Sequence, residues 1–258
     1  MMRGLAAMLG KEWLELARSW KWLWVPLVFI LLGIMQPVSY YFLPQLLDAA
    51  GNLPEGAVIS IPLPSGGEIL AGTLEQYGIF GALIIALSFM GAVSQERNTG
   101  TGALILVKPV SPAAFVLSKW LAMAALVAAS LAAGYAASWY YTVVLIGPVA
   151  VGNAMAGAAL YALWLLVVGS SALMFSALWK SPAAAAFSAL GTFAALALLT
   201  SLFPRQLAWS PGRLPAASRE LLLEGAAGSL WPTVAVTALC VIGSVLIAVR
   251  AVRAHPAD

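Results

Sequence analysis

The sequence predicts an all-α polytopic membrane protein: six transmembrane helices, an N-terminal interfacial amphipathic helix and both termini cytoplasmic. Three observations carry this. First, 62% of the 258 residues are hydrophobic and only 9% are charged, against about 25% charged in a soluble domain. That balance excludes an ordinary soluble protein, and it excludes disorder, which needs low hydrophobicity and high charge. Second, the apolar residues gather into six runs near or above the length of about 20 that spans a bilayer. Third, the basic residues are unevenly shared between the connecting segments.

The runs cover about 22–42, 77–93, 120–146, 155–179, 183–203 and 230–249. None has a charge in its middle, and the second is the shortest. Within lipid each segment must satisfy its own backbone, so these are helices. They form a single transmembrane domain over 1–258. With the N-terminus inside, the inner segments hold Arg3, Lys11, Arg18, Lys21, Arg97, Lys108, Lys119, Lys180, Arg250 and Arg253. The outer ones hold only Arg205, Arg213 and Arg219. This excess places both ends in the cytoplasm. The first run is too long for a signal-peptide core and is read as a retained helix.

Residues 3–21 read as an amphipathic helix, with Leu5, Leu9, Trp13, Leu16 and Trp20 on one face and Lys11, Glu15 and Arg18 on another. Its tryptophans suit the headgroup level of the inner interface. The outer loop 43–76 carries Asp48, Glu55, Glu68 and Glu75 and no Lys or Arg. Topology alone accounts for that; a vestibule for cationic cargo is the alternative. The inner loop 94–119 reads SQERNTGTGALILVKPVSPAAFVLSK. In it Ser111 then Pro112 is a helix start, Ser as N-cap and Pro at the first helical position. A short capped helix is therefore expected between the second and third spans, where a soluble partner can dock. In the third span Ala125, Ala129, Ala133 and Ala137 form a ladder of small residues that allows close helix approach. Lys180-Ser181-Pro182 is a tight inner turn. The outer loop 204–229 is broken by Pro204, Pro211 and Pro215, and 219–224 can form one or two helical turns.

The chemistry that is missing narrows the function. One cysteine, Cys240, excludes an internal disulfide and a Cys-rich metal centre. The one histidine, His255, lies in the last four residues. The chain has no H-E-x-x-H, no G-x-S-x-G and no P-loop. Ion-driven carriers usually keep ionisable groups at mid-membrane, and the span centres have none. The chain reads as a pathway without an engine, not an enzyme, with no nucleic acid among its partners.

Several features together resemble the permease subunits of the ABC-2 type transporter family. These are the N-terminal helix with Lys11-Glu12, the six spans, the stretch Glu96-Arg97-Asn98-Thr99-Gly100-Thr101, and Lys108-Pro109-Val110-Ser111-Pro112 through Lys119. The resemblance implies a multi-pass protein of a bacterial or archaeal plasma membrane. It implies a coupling helix over 110–118 that docks on a separate ATP-binding cassette subunit, which would carry the ATP and Mg; no cofactor is expected in this chain. The implied interface residues are Glu96, Arg97, Gly100, Thr101, Lys108, Pro109, Val110, Ser111, Pro112, Ala113, Phe115 and Lys119. A second permease copy or a sister permease and membrane lipid are the other implied partners, and export of a lipidic, peptidic, drug-like or polysaccharide cargo is implied; the uncharged spans suit a hydrophobic or amphiphilic one. The rival readings are a non-transporting anchor or sensor subunit and a gradient-driven carrier.

Overall fold

The computed structural model describes residues 2–49, 64–99 and 111–254, and these are almost wholly helical. Helix α1 (Met2–Arg18) precedes α2 (Lys21–Ala49). Then come α3 (Gly66–Gln76), a π-helical turn (Tyr77–Gly81), α4 (Ala82–Phe89) and α5 (Ser94–Asn98). Three long helices follow: α6 (Pro112–Leu145), α7 (Val151–Leu178) and α8 (Pro182–Leu202). A 3₁₀ turn (Pro211–Arg213), α9 (Leu214–Glu224) and α10 (Trp231–Ala254) complete the chain. Among the described residues six segments are long and apolar enough to cross a membrane: Lys21–Gln45, Gly66–Asn98, Pro112–Leu145, Val151–Leu178, Pro182–Leu202 and Trp231–Ala254. They are called spans 1 to 6.

Local chemistry sets the helix starts. Ser111 Oγ accepts from the Ala114 N–H at 3.2 Å with Pro112 behind it, and Ser181 Oγ accepts from the Ala184 N–H at 3.3 Å before Pro182. Each serine satisfies an N–H that the first turn leaves open, and each proline lacks an N–H where none is needed. Ser65 and Glu68 form a reciprocal capping box at the start of α3.

Spans 2, 3 and 4 form the centre, and spans 1, 5 and 6 pack around them with much of their surface outward. Helices α2 and α6 cross with their backbones in close approach. A Cβ on Gly134 would lie 2.5 Å from the Phe29 carbonyl oxygen, and one on Gly33 would lie 2.6 Å from the Tyr77 hydroxyl. Two glycines let the backbones meet here, as small residues do between membrane helices. The Tyr77 hydroxyl fills the junction and donates to the Phe29 carbonyl at 2.8 Å. Nearby, Thr73 and Ser138 hydroxyls share a hydrogen bond of 2.8 Å. The first and last helices meet at one face of the bundle, where Met8 and Val252 share an apolar cluster with Phe115 and Leu173; this is called the terminal face.

Four boundaries differ from the sequence expectation. Span 2 begins at Gly66 rather than 77, because its polar first third is buried and paired inside the bundle. The stretch expected as the loop 43–76 is helical up to Ala49 and again from Gly66, and 50–63 lie outside the described residues. The amphipathic helix ends at Arg18, and Trp20 sits in a left-handed turn (φ 58°), exposed, instead of extending the apolar stripe. In 204–229 the helix is longer than one or two turns, and it lies on spans 2 and 4: Ser218 Oγ donates to the Gly157 carbonyl at 2.9 Å.

Candidate functional site

The terminal face holds a charged cluster built from three elements distant in sequence. Lys119, two turns into α6, is 2% exposed. Its Nζ lies 3.0 Å from Glu12 Oε1 of α1 and 2.7 Å from Glu96 Oε1 of α5. Lys11 also pairs with Glu96, and lies 3.3 Å from Glu12 and 3.6 Å from Glu15. Glu12 and Glu96 are largely buried. The ammonium of Lys119 also sits 5.0 Å from the centre of the Phe115 ring.

An unpaired charge in this setting would cost several kcal/mol, so the five groups have to be taken as a unit. Burial works against the charge on Lys11. The hydrogen bond to Glu96 and the neighbouring charges of Glu12, Glu96 and Glu15 outweigh it and hold its pKa above the ordinary lysine value. Carboxylate oxygens of Glu12, Glu15 and Glu96 come within 4.8 Å of one another, as metal ligands would. Two lysine ammonium groups already sit among them, so most of their charge is answered by protein. Glu96 Oε2 is buried and has no hydrogen-bond partner among the described residues.

Neighbouring contacts anchor the cluster to span 4. Helix α4 stops at Phe89 and α5 starts at Ser94, which opens backbone N–H groups between them. Ser176 Oγ of α7 accepts from Val93 N–H at 3.0 Å and Ser94 N–H at 3.2 Å. Arg97 Nη1 donates to the Ala177 carbonyl at 2.9 Å, and Asn98 donates to the Lys180 carbonyl at 2.9 Å. At the start of span 1, Lys21 Nζ donates to the Ser88 carbonyl at 2.7 Å. The terminal ends of spans 1 to 4 and α1 are therefore joined by polar contacts.

The structure brings together Glu96 and Lys119 of the predicted interface, with Arg97 beside them. Ser111 and Pro112 start α6, Ala113 is half-buried, and Phe115 is buried in the apolar cluster. Gly100, Thr101, Lys108, Pro109 and Val110 lie outside the described residues. One expectation is corrected: no separate short helix ends before Trp120. The turn begun at Pro112 continues unbroken to Leu145, because nothing after the Ser111 cap interrupts it. Glu12 was missed as a site residue. The signal was present: Leu5, Leu9, Glu12 and Leu16 recur at helical spacing, so an acid stands in the apolar stripe that α1 buries.

Two comparisons bear on what such a chain does. Residues 6–210 match the family model described as "ABC-2 family transporter protein". The chain is also 37% identical over 224 residues to an uncharacterized transmembrane protein, YxlG, of Bacillus subtilis (strain 168), an alignment that covers 87% of each.

Proposed function

The chain belongs to the ABC-2 transporter family, as the membrane-spanning permease part of an ABC transporter, and from that premise we propose how it is driven. Permeases of this family work with an ATP-binding subunit. ATP and Mg bind on that subunit, and hydrolysis takes place there. The terminal face is cytoplasmic, in keeping with the ten Lys and Arg residues of the segments on that side. The ATP-binding subunit docks there, beside Arg97 and the half-buried Ala113.

The observation that carries this reading is Lys119, buried between Glu12 and Glu96 two turns from the start of a 34-residue helix. Such a helix is about 50 Å long. A displacement at Ser111 or Pro112 is therefore delivered along the whole of span 3, with no separate lever between. The ion cluster makes α1 and the end of span 2 move with it. A partner shifts this equilibrium only by binding one arrangement more tightly than the other, and the open acceptor Glu96 Oε2 is one place where an arrangement can gain a hydrogen bond. Two permease chains enclose the pathway, and the cargo is hydrophobic or amphiphilic and is exported.

The test is a mild-detergent purification of the tagged chain with mass spectrometry of what it retains. The expected result is a stoichiometric chain carrying a P-loop, whose ATPase rate changes when the permease is present. A monodisperse preparation that retains no nucleotide-binding chain, and stimulates none encoded beside it, overturns the proposal.

A further inference from the structure

In the ion cluster three carboxylates, Glu12, Glu15 and Glu96, stand against two ammonium groups, Lys11 and Lys119. One negative charge is left over, in a setting where an unanswered charge is costly. A third cation lies beside them. Lys21 opens span 1 and is half-buried, yet no ion pair among the described residues includes it. The charges that face it are those of Glu15, Glu12 and Lys119. A lysine ammonium has three N–H groups. One donates to the Ser88 carbonyl at 2.7 Å, where α4 is about to stop and its last carbonyls lack helical partners. The ammonium also lies 5.5 Å from the centre of the Phe89 ring. Neither contact supplies a formal negative charge.

A cavity of about 20 Å³ is lined by Glu12, Glu15, Lys21 and Lys119, with Phe89 and Ala122 on its apolar side. A water molecule needs about 10–15 Å³, so the cavity admits one, and a lipid headgroup or a nucleotide does not fit. Polar groups too far apart for a direct hydrogen bond are commonly joined by such a water. Its partners stand in the wall. Lys21 keeps N–H groups beyond the one that Ser88 takes. Lys11 and Lys119 both reach Glu12 through Oε1, which leaves Oε2 to accept. Glu15 meets Lys11 only at 3.6 Å, beyond hydrogen-bond length, so its carboxylate can accept too.

We propose that this cavity binds one water molecule, which accepts from the Lys21 ammonium and donates to the carboxylates of Glu12 and Glu15. Three hydrogen bonds are usual for an enclosed water. Lys21 is then the third cation of the cluster, set against its three carboxylates. The water ties the start of span 1 to α1, where Lys21 alone reaches only span 2. The site belongs to this chain and stands whether or not an ATP-binding subunit docks on the terminal face.

The test is hydroxyl-radical footprinting of the full-length chain in phosphatidylcholine nanodiscs, by brief X-ray irradiation and peptide mass spectrometry. Radicals formed from a held water oxidise the side chains beside it. Phe89, on the cavity, should be oxidised at least about fivefold more than Phe115, buried in the neighbouring apolar cluster, as a ring beside a held water against a dry one. Ala122→Val fills the cavity, and Lys21→Leu removes the donor; each should bring Phe89 down to the level of Phe115, so the loss of one variant to misfolding leaves the other. The second measurement is the thermal midpoint of Lys21→Leu, alone and with Glu15→Gln. The fall caused by Lys21→Leu should be at least halved once Glu15 has lost its charge, as groups of one network couple. Phe89 oxidised no more than Phe115 in the wild type overturns the proposal. So does Phe89 oxidation that persists in a folded variant, or an equal fall in the two backgrounds.

Discussion

Replacing Lys119 by methionine keeps a side chain of similar length and removes its charge. The wild-type cluster holds two lysines, Lys11 and Lys119, against Glu12, Glu15 and Glu96. Without Lys119 three carboxylates face one ammonium, and two of them are largely buried. Breaking a buried pair from one side costs about 3–5 kcal/mol. At about 2–4 °C per kcal/mol for a chain of this size, the thermal midpoint in one detergent should fall by roughly 6–20 °C. Lys119→Met/Glu12→Gln returns the cluster to its original net charge. It should recover at least about 1 kcal/mol relative to the single variant, within the range of contacting pairs. The assay is intrinsic-fluorescence melting of the wild type, both single variants and the double. A Lys119→Met midpoint within 2 °C or so of wild type, or a double variant as unstable as the sum of the singles, would refute the reasoning.

Other outcomes follow from the same geometry. Gly134→Val drives a side chain into the Phe29 carbonyl, which is backbone and cannot turn aside; a loss of about 2–3 kcal/mol or more is expected, read as a lower midpoint and aggregation on gel filtration. Ser176→Ala removes the acceptor of two buried N–H groups and should cost about 1–3 kcal/mol, read by the same melt. The Lys11 pKa is raised in the folded chain, so its contribution is complete below the unfolded lysine value and is lost as pH rises through the folded one. The near-ultraviolet dichroism of the stacked Trp13–Trp22 pair should hold steady from neutral pH to about 10 and decline above it. Glu75→Gln breaks an exposed pair with Arg219 and should change stability by less than about 1 kcal/mol, a small shift in the same melt.

How much of this was legible follows the range of the interactions. The six spans and the Ser-Pro helix starts depend on adjacent residues and bilayer thickness, so they can be read from the sequence. The first third of span 2 cannot, because Thr73 and Gln76 look like loop residues until Ser138, 65 residues away, is placed beside Thr73. The ion cluster is harder still, since Glu12 and Lys119 are 107 positions apart. Phe115 is a further case. The family resemblance puts it on a coupling helix, at the interface with the ATP-binding subunit. It is buried against Leu173 and Val252, so Phe115→Asp should destabilise the terminal face itself, and Ala113 is the better position for testing docking.

The π-helical turn at Tyr77–Gly81 adds a consequence for how this chain tolerates insertion and deletion. A π turn accommodates one residue more than the regular helix on either side. Deleting one residue within it should let span 2 heal into a continuous α-helix. The turn already absorbs that residue, so the healed helix would keep its two halves in phase, and Thr73, Ser94 and Glu96 would keep their partners. A single-codon deletion here is thus absorbed, whereas the same deletion within the regular helix of span 3 would turn everything beyond it by about 100°.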